Sequence, residues 1–214
     1  MQHALTPSLQ RTLSAERLEP YLVGAVSGAD PLAWYLWNVR LTEALYPTLH
    51  GIEVALRNSL HDAIHRDTAD ALWMFKGGPL QKKEADQALD SASRLEARRK
   101  SVSSGGVVAE LNFGFWTSLL DKRYEGLLWP RLLRTAFPGV PRPRRTRGGL
   151  SARLNEIRRL RNRAFHHEPI WHWRDLPQQH AHAVEMLFWL CKDLGRMTAT
   201  ADRFADVYAD RPAT

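Results

Sequence analysis

Residues 30–66 read DPLAWYLWNVRLTEALYPTLHGIEVALRNSLHDAIHR, and this stretch decides the fold class that the sequence predicts. Asp30 and Pro31 indicate a helix start, because aspartate caps helices and proline is accepted at the first helical position. Apolar residues then recur every three or four positions, as on one helix face: Leu32, Tyr35, Leu36 and Val39, then Leu49, Ile52, Leu56, Leu60 and Ile64. Pro47 lies between the two sets, so we expect one helix that ends or kinks there and a second that follows it.

Helical periodicity also dominates the rest of the chain, with no convincing run of alternating strand residues. Ser14 and Ser151 are candidate caps for helices, and Pro169 is the expected stop of the second of these. Residues 103–106 are expected to be a loop, and residues 137–149, FPGVPRPRRTRGG, an exposed basic connector. Helices are expected at residues 15–26, 81–100, 152–166 and 176–195, with two short buried ones within 110–137 and a weaker one near 199–209. The sequence therefore predicts an all-α bundle, one domain over residues 1–214 with its core at 31–195.

The amino-acid composition argues against several classes of protein. The chain has 214 residues, and its 44% hydrophobic and 25% charged residues are ordinary for a globular protein, which argues against wholesale disorder. Its one cysteine, Cys191, excludes an internal disulfide. The sequence shows neither an apolar run of membrane-spanning length nor a secretion signal at its start, so we expect a cytoplasmic protein without membrane contact.

The charge raises the question of a polyanionic partner. Lys and Arg number 30 against 23 Asp and Glu, which gives a net charge of +7. Such an excess favours nucleic acid through contacts with phosphates, although a basic but inert surface is about as compatible with it. Arg142, Arg144, Arg145 and Arg147 of the connector, together with Arg158, are the candidate RNA-binding residues; a solvated linker is the alternative for the connector.

Residues 150–173, LSARLNEIRRLRNRAFHHEPIWHW, carry the candidate chemistry. The apolar stripe of this expected helix leads to Arg161, and a guanidinium at an inward position needs an anionic partner or a cleft. Asn162 and His166 are four residues apart and share a face. Arg161 and His166 are about 140° apart on a regular helix. They converge on one phosphate only if the helix ends near His166, or if a second subunit completes the site.

These residues resemble a known family. Arg161-Asn162-x-x-x-His166 is similar to the RNxxxH form of the signature of the HEPN superfamily, and RNRAFHHEPIW resembles that of its Abi-like (abortive infection) branch. LHGIEVALRNSLHDAI, with Glu53, Arg57 and Asn58, resembles the N-terminal helix of this branch. The stretch 111–120, LNFGFWTSLL, resembles its central Phe-Gly-x-Trp motif.

The resemblance implies a HEPN-like helical bundle with additional short helices, commonly a homodimer with a composite site, whose active members cleave RNA without a metal or other cofactor. Arg161 and His166 would be the catalytic pair with Asn162 beside them, and His167, Glu53, Arg57 and Asn58 would be possible supporting residues. A toxin or phage-defence role follows from the same resemblance, with an antitoxin or defence-system partner. In a related branch, a tyrosine two places after the histidine is modified by the partner; here that position is Glu168, which argues against such an antitoxin.

Plainer interpretations stand beside these. Arg161 could form a structural ion pair with Glu53, and His166 could be a cation at a helix C-terminus. An intrahelical Glu53–Arg57 pair is the default for those two residues. The chain could equally be a non-catalytic RNA-binding or assembly module of the same fold. A metal-dependent hydrolase that uses His166, His167, Glu168 and His172 is a weaker alternative, because adjacent histidines point in different directions.

Overall fold

The computed structural model describes residues 5–24, 30–75 and 78–212, and this part of the chain is helical without strands. The all-α prediction is therefore confirmed. The eleven α-helices of the described residues are α1 (Pro7–Leu13), α2 (Ala15–Gly24), α3 (Pro31–Thr68), α4 (Lys82–Ala97), α5 (Ser104–Glu110), α6 (Phe113–Ser118), α7 (Leu133–Ala136), α8 (Arg147–Phe165), α9 (Leu176–Leu190), α10 (Lys192–Ala199) and α11 (Phe204–Ala209).

Helix α3 is the central element, and it packs against α2, α7, α8, α9, α10 and α11. The side chain of Asp30 caps it by accepting a hydrogen bond from Leu32 N at 2.9 Å. Pro47 lies inside this single 38-residue helix, so the prediction of two helices is wrong. Because Leu45, Thr48 and Leu49 around the proline are buried, tertiary packing holds the helix together at a residue that disfavours it locally.

Other helix boundaries also differ from the prediction. Helix α8 begins at Arg147, since Thr146 rather than Ser151 caps it by accepting from Gly149 N at 3.1 Å. Gly148 and Gly149 lie in its first turn, and these two glycines led to the assignment of this turn to the connector. Residues 104–106, expected in a loop, begin α5 after the cap Ser103. The expected helix 176–195 is interrupted at Cys191, whose backbone is extended between α9 and α10 and whose side chain is exposed rather than in the core.

Asn38, a buried polar residue of α3, fixes the chain that follows α8. Its Oδ1 atom accepts hydrogen bonds from Ile170 N at 2.8 Å and from Trp171 N at 3.1 Å. Trp171 in turn packs against Trp34 and Tyr21 at ring-centroid distances of 4.9 and 6.1 Å. The segment beyond the candidate motif is thereby tied to the central helix.

Replacement Asn38→Ala is expected to lower the free energy of unfolding by about 2–4 kcal/mol, because two backbone N–H groups lose their acceptor in a poorly hydrated position. Urea unfolding measures this change. Asn58→Ala, at an exposed position of the same helix, is the control and should shift stability by no more than about 0.5 kcal/mol. Equal stability of the two variants would contradict the role assigned to Asn38.

Candidate active site

The C-terminal end of α8 places the motif residues at the surface. Helix α8 stops at Phe165, and the backbone N–H groups of His167 and Glu168 donate to the carbonyls of Ala164 at 3.2 Å and Arg163 at 2.9 Å. This pair of bonds is a Schellman motif, which usually has glycine at the left-handed position. Here His167 takes that position with φ of 60°, and Arg17 of α2 donates to its carbonyl oxygen. The helix therefore ends before Pro169, by a turn that the sequence did not signal.

Helix α8 therefore stops next to His166, as the first of the two conditions inferred from the sequence requires. His166 caps the helix, with its N–H donating to Asn162 O at 2.9 Å, and its backbone leaves helical geometry. Asn162 and His166 are both exposed. The C-terminal end of α8 is therefore polar and accessible to solvent.

Arg161 lies between this end and α3. Its Nε atom donates to Glu53 Oε2 at 3.3 Å, and its guanidinium carbon lies 4.7 Å from the ring centroid of Phe165. The side chain is 26% exposed and that of Glu53 24%, so the pair sits at the rim of the protein rather than in the core. A contact from Arg161 Nη1 to Asn162 Oδ1 at 3.5 Å is at the limit of a hydrogen bond. The ion pair with Glu53, the plainer interpretation from the sequence, is thus present, but it does not seal the guanidinium from solvent.

Two further side chains extend the site along α3. Tyr46 and His50 stack with ring centroids 5.6 Å apart and an interplanar angle of 14°, and Tyr46 also contacts Phe165 at 5.8 Å. Tyr46 is 53% exposed. Sequence reasoning missed both residues, although their spacing of four on a helix signals a shared face. Phe165 thus connects these exposed rings to Arg161, whose guanidinium lies over the same Phe165 ring.

The other proposed supporting residues of α3 are less closely connected to Arg161. Among the described residues, Glu53 has its ion pair with Arg161 and none with Arg57, so the default intrahelical pair is not formed. Arg57 is half-buried, and its buried Nε atom has no hydrogen-bond partner in the described part of the chain. Asn58 is exposed on the same helix.

The histidines that follow α8 do not form a metal centre. Within residues 5–24, 30–75 and 78–212, no three His, Cys, Asp or Glu side chains are grouped to hold an ion. His167 instead borders a recess with Asn38 and Thr42, and Glu168 pairs with Arg163 at 2.8 Å. Burial, together with the nearby Arg163 charge, lowers the pKa of His172. The metal-dependent alternative receives no support from this arrangement.

Most of the connector arginines bind their own chain. Arg144 pairs with Glu185 at 2.6 Å, Arg145 donates to Val140 O, and Arg147 pairs with Glu125 at 2.7 Å. Arg142 is exposed at the start of a short 3₁₀ turn, Arg142–Arg144. The predicted phosphate-binding arm would have to compete with these internal partners at three of its four arginines.

Arg57-Asn58-x-x-His61 has the same residue types as Arg161-Asn162-x-x-x-His166 but is one residue shorter. His61 has structural partners. Trp73 Nε1 donates to its Nδ1 at 3.1 Å, and Ser104 Oγ lies 3.3 Å from its Nε2. Because Nδ1 accepts, Nε2 carries the proton of the neutral ring, and the imidazole cannot remove a proton from Ser104. Burial lowers the pKa of His61, while Asp62 raises it and His65 lowers it to smaller extents.

Comparison of the chain with family models, curated proteins and solved structures finds no match. None of the described helices is long and apolar enough to cross a membrane.

A double-mutant cycle of Glu53→Gln and Arg161→Gln is expected to give a coupling energy of about 0.5–1 kcal/mol, because solvent screens a pair that is only partly buried. Chemical unfolding of the four proteins measures it. The cycle of Glu53→Gln with Arg57→Gln is the control and should give no measurable coupling. A larger coupling in the control would mean that Glu53 pairs along α3.

The free energy of unfolding should fall as the pH drops below about 6.5, the ordinary histidine pKa. Since the pKa of His61 is lowered in the folded protein, the unfolded chain binds its proton first, and protonation favours unfolding. His61→Gln should weaken this pH dependence but not abolish it, because the pKa values of His172 and His180 are lowered too. Urea unfolding at pH 7.5 and 5.5 tests this, and an identical pH dependence in wild type and variant would refute it.

Proposed function

We propose that the protein is a metal-independent endoribonuclease of the HEPN type, acting as a toxin or phage-defence effector. The observation that carries the proposal is the open end of α8, where the half-buried Arg161 and the exposed Asn162 and His166 occur within six residues of a helix terminus. The motif's resemblance to the Abi-like branch supplies the reaction class. The site chemistry is compatible with it.

In this mechanism the 2′-hydroxyl oxygen of the substrate attacks the adjacent phosphorus, and the bond from phosphorus to the 5′-oxygen breaks. His166 accepts the proton of the 2′-hydroxyl, and water supplies the proton that the leaving 5′-oxygen takes up. His166 then returns its proton to the resulting hydroxide, so no proton is gained or lost overall. Arg161 donates hydrogen bonds to the non-bridging oxygens, whose charge grows in the transition state, and Asn162 positions the phosphate. The products are a 2′,3′-cyclic phosphate and a 5′-hydroxyl, with no redox change.

Glu53 has a positioning role in this proposal. Its carboxylate holds Arg161 Nε on the α3 side, which leaves the far nitrogens of the guanidinium for the phosphate. The homodimer is part of the proposal, with a second copy of the chain bringing its own His166 to the end of α8. An apolar surface pocket of about 490 Å³, bordered by His50, Val54 and the 64% exposed Met197, adjoins the Tyr46–His50 stack and offers a surface for that copy.

A non-catalytic RNA-binding module is the second candidate, and the Glu53–Arg161 ion pair favours it. A guanidinium that already has a carboxylate partner loses part of its capacity to stabilise a phosphate in the transition state. In that case the basic surface binds RNA while His166 has no chemical role.

Incubation of the purified protein with RNA in EDTA should yield fragments with cyclic-phosphate ends, and His166→Ala and Arg161→Ala should each slow cleavage at least about 100-fold. A substrate with a 2′-deoxyribose at the cleavage position should resist. Cleavage is followed on labelled oligonucleotides, with mass spectrometry of the ends.

His172→Ala and Arg159→Ala are matched controls, because both residues are exposed near the motif and neither belongs to the proposed catalytic set. Both should cleave at nearly the wild-type rate. Equal cleavage by wild type, His166→Ala and Arg161→Ala would refute the assignment. Salt-sensitive RNA binding without products, unchanged in His166→Ala, would establish the binding module instead.

A further inference from the structure

A polar surface pocket of about 310 Å³ lies between α4, α6 and α8, away from the Arg161–Glu53 contact. Lys83 and Gln87 come from α4, Gly114 and Thr117 from α6, and Asn155 and Arg158 from α8. Every residue that lines it, apart from Gly114, has a polar side chain. The volume falls in the range of small-ligand sites, but the lining suits a polar ligand rather than an apolar one.

Arg158 is the unusual member of this pocket. Arg147, Arg153, Arg161 and Arg163 of the same helix each contact a carboxylate. Arg158 is half-buried, yet in the described part of the chain it donates only to the neutral Asn155 Oδ1, at 3.0 Å, and its Nε is buried without an acceptor. A partly desolvated guanidinium without a counter-charge is costly, and a bound anion would remove that cost.

The charge balance of the lining is positive. Lys83 is exposed and, in the described ranges, has no ion pair. Among the described residues that line the pocket, Asp121 is the one carboxylate, and it lies 3.4 Å from Arg123. The neighbouring Glu84 does not neutralise the pocket, because it is fully buried and bonded to Arg123 at 2.6 Å, Tyr124 at 2.7 Å and Ser118 at 3.1 Å. Two cations therefore face one carboxylate that already has a partner.

We propose that this pocket binds the phosphate group of a nucleotide. Lys83 and Arg158 supply charged donors to the phosphate oxygens, and the amides of Gln87 and Asn112 supply neutral hydrogen bonds to the rest of the ligand. Gly114 keeps the entrance open, since a Cβ atom there would lie 3.0 Å from Asn112 Oδ1 and 3.9 Å from Arg158 Nη1. Neither Arg161 nor His166 lines this pocket, although Arg158, one of the candidate RNA-binding residues, lies one helical turn before Asn162. The phosphate can belong to a free nucleotide or to one within an RNA strand.

Calorimetric titration with inorganic phosphate, adenosine 5′-monophosphate and adenosine tests the proposal, with an RNA decamer as the fourth probe. We expect phosphate-bearing probes to bind and adenosine not to bind. Lys83→Gln and Arg158→Gln should each weaken binding about tenfold or more, as expected for loss of a charged hydrogen bond. Lys83→Gln should retain the fold, because this side chain is exposed and forms no ion pair with any residue that the structure describes. Amide chemical-shift changes at Gly114 and Thr117, but not at Gly195, should locate the ligand.

Lys82→Gln and Arg159→Gln are the matched controls, with the same charge change on the adjacent residue of each helix, and both should bind like the wild type. Binding of the monophosphate identifies a free nucleotide as sufficient, whereas binding of the decamer alone identifies a phosphate within a strand. Failure of every phosphate-bearing probe, equal binding of adenosine, or equal losses in the controls would overturn the proposal. The titration measures binding and not cleavage. Its outcome, whether binding or no binding, therefore does not decide whether His166 is catalytic.

Discussion

The chain leaves helical geometry at His166, and the contacts that hold this turn determine what the end of α8 can do. A Schellman motif closes the helix with His167 in the left-handed conformation, a backbone state that costs a non-glycine residue about 1 kcal/mol or more. Arg17 of α2 binds the His167 carbonyl, and the buried Asn38 of α3 binds the next residues of the chain. Together these two contacts hold the chain that follows His166 and keep it from continuing α8 towards Pro169.

The Glu53–Arg161 contact is compatible with two different roles for Arg161. The same carboxylate can orient a phosphate-binding guanidinium or satisfy a purely structural one, and a pair about a quarter exposed is compatible with both. The exposed rings of Tyr46 and His50 continue the surface beyond Phe165.

Periodicity was sufficient to predict the all-α class and the approximate positions of most helices, because burial of one face dominates the sequence of α3, α8 and α9. The errors occurred where tertiary contacts override local preference. Packing carries α3 through Pro47, and Thr146 starts α8 at a pair of glycines. The Glu53–Arg161 pair was among the alternatives from the sequence, whereas the Tyr46–His50 stack and the Lys83–Arg158 pocket were not. The pocket depends on which side chains of three separate helices meet, and helical periodicity does not predict that. The stack lies within α3, and its spacing of four residues was a signal that the sequence already contained.

Helix α8 fixes the separation between its two polar regions. Asn155, Arg158 and Asn162 follow a spacing of three and four, so they share one face, and Arg158 lies about 6 Å along the axis from Asn162. A strand that reached from the pocket to the helix end would be held at two rigid points, and its second contact would form at high effective concentration. A mononucleotide could occupy only one of the two points at a time, so a strand with neighbouring phosphates would bind more tightly than a mononucleotide.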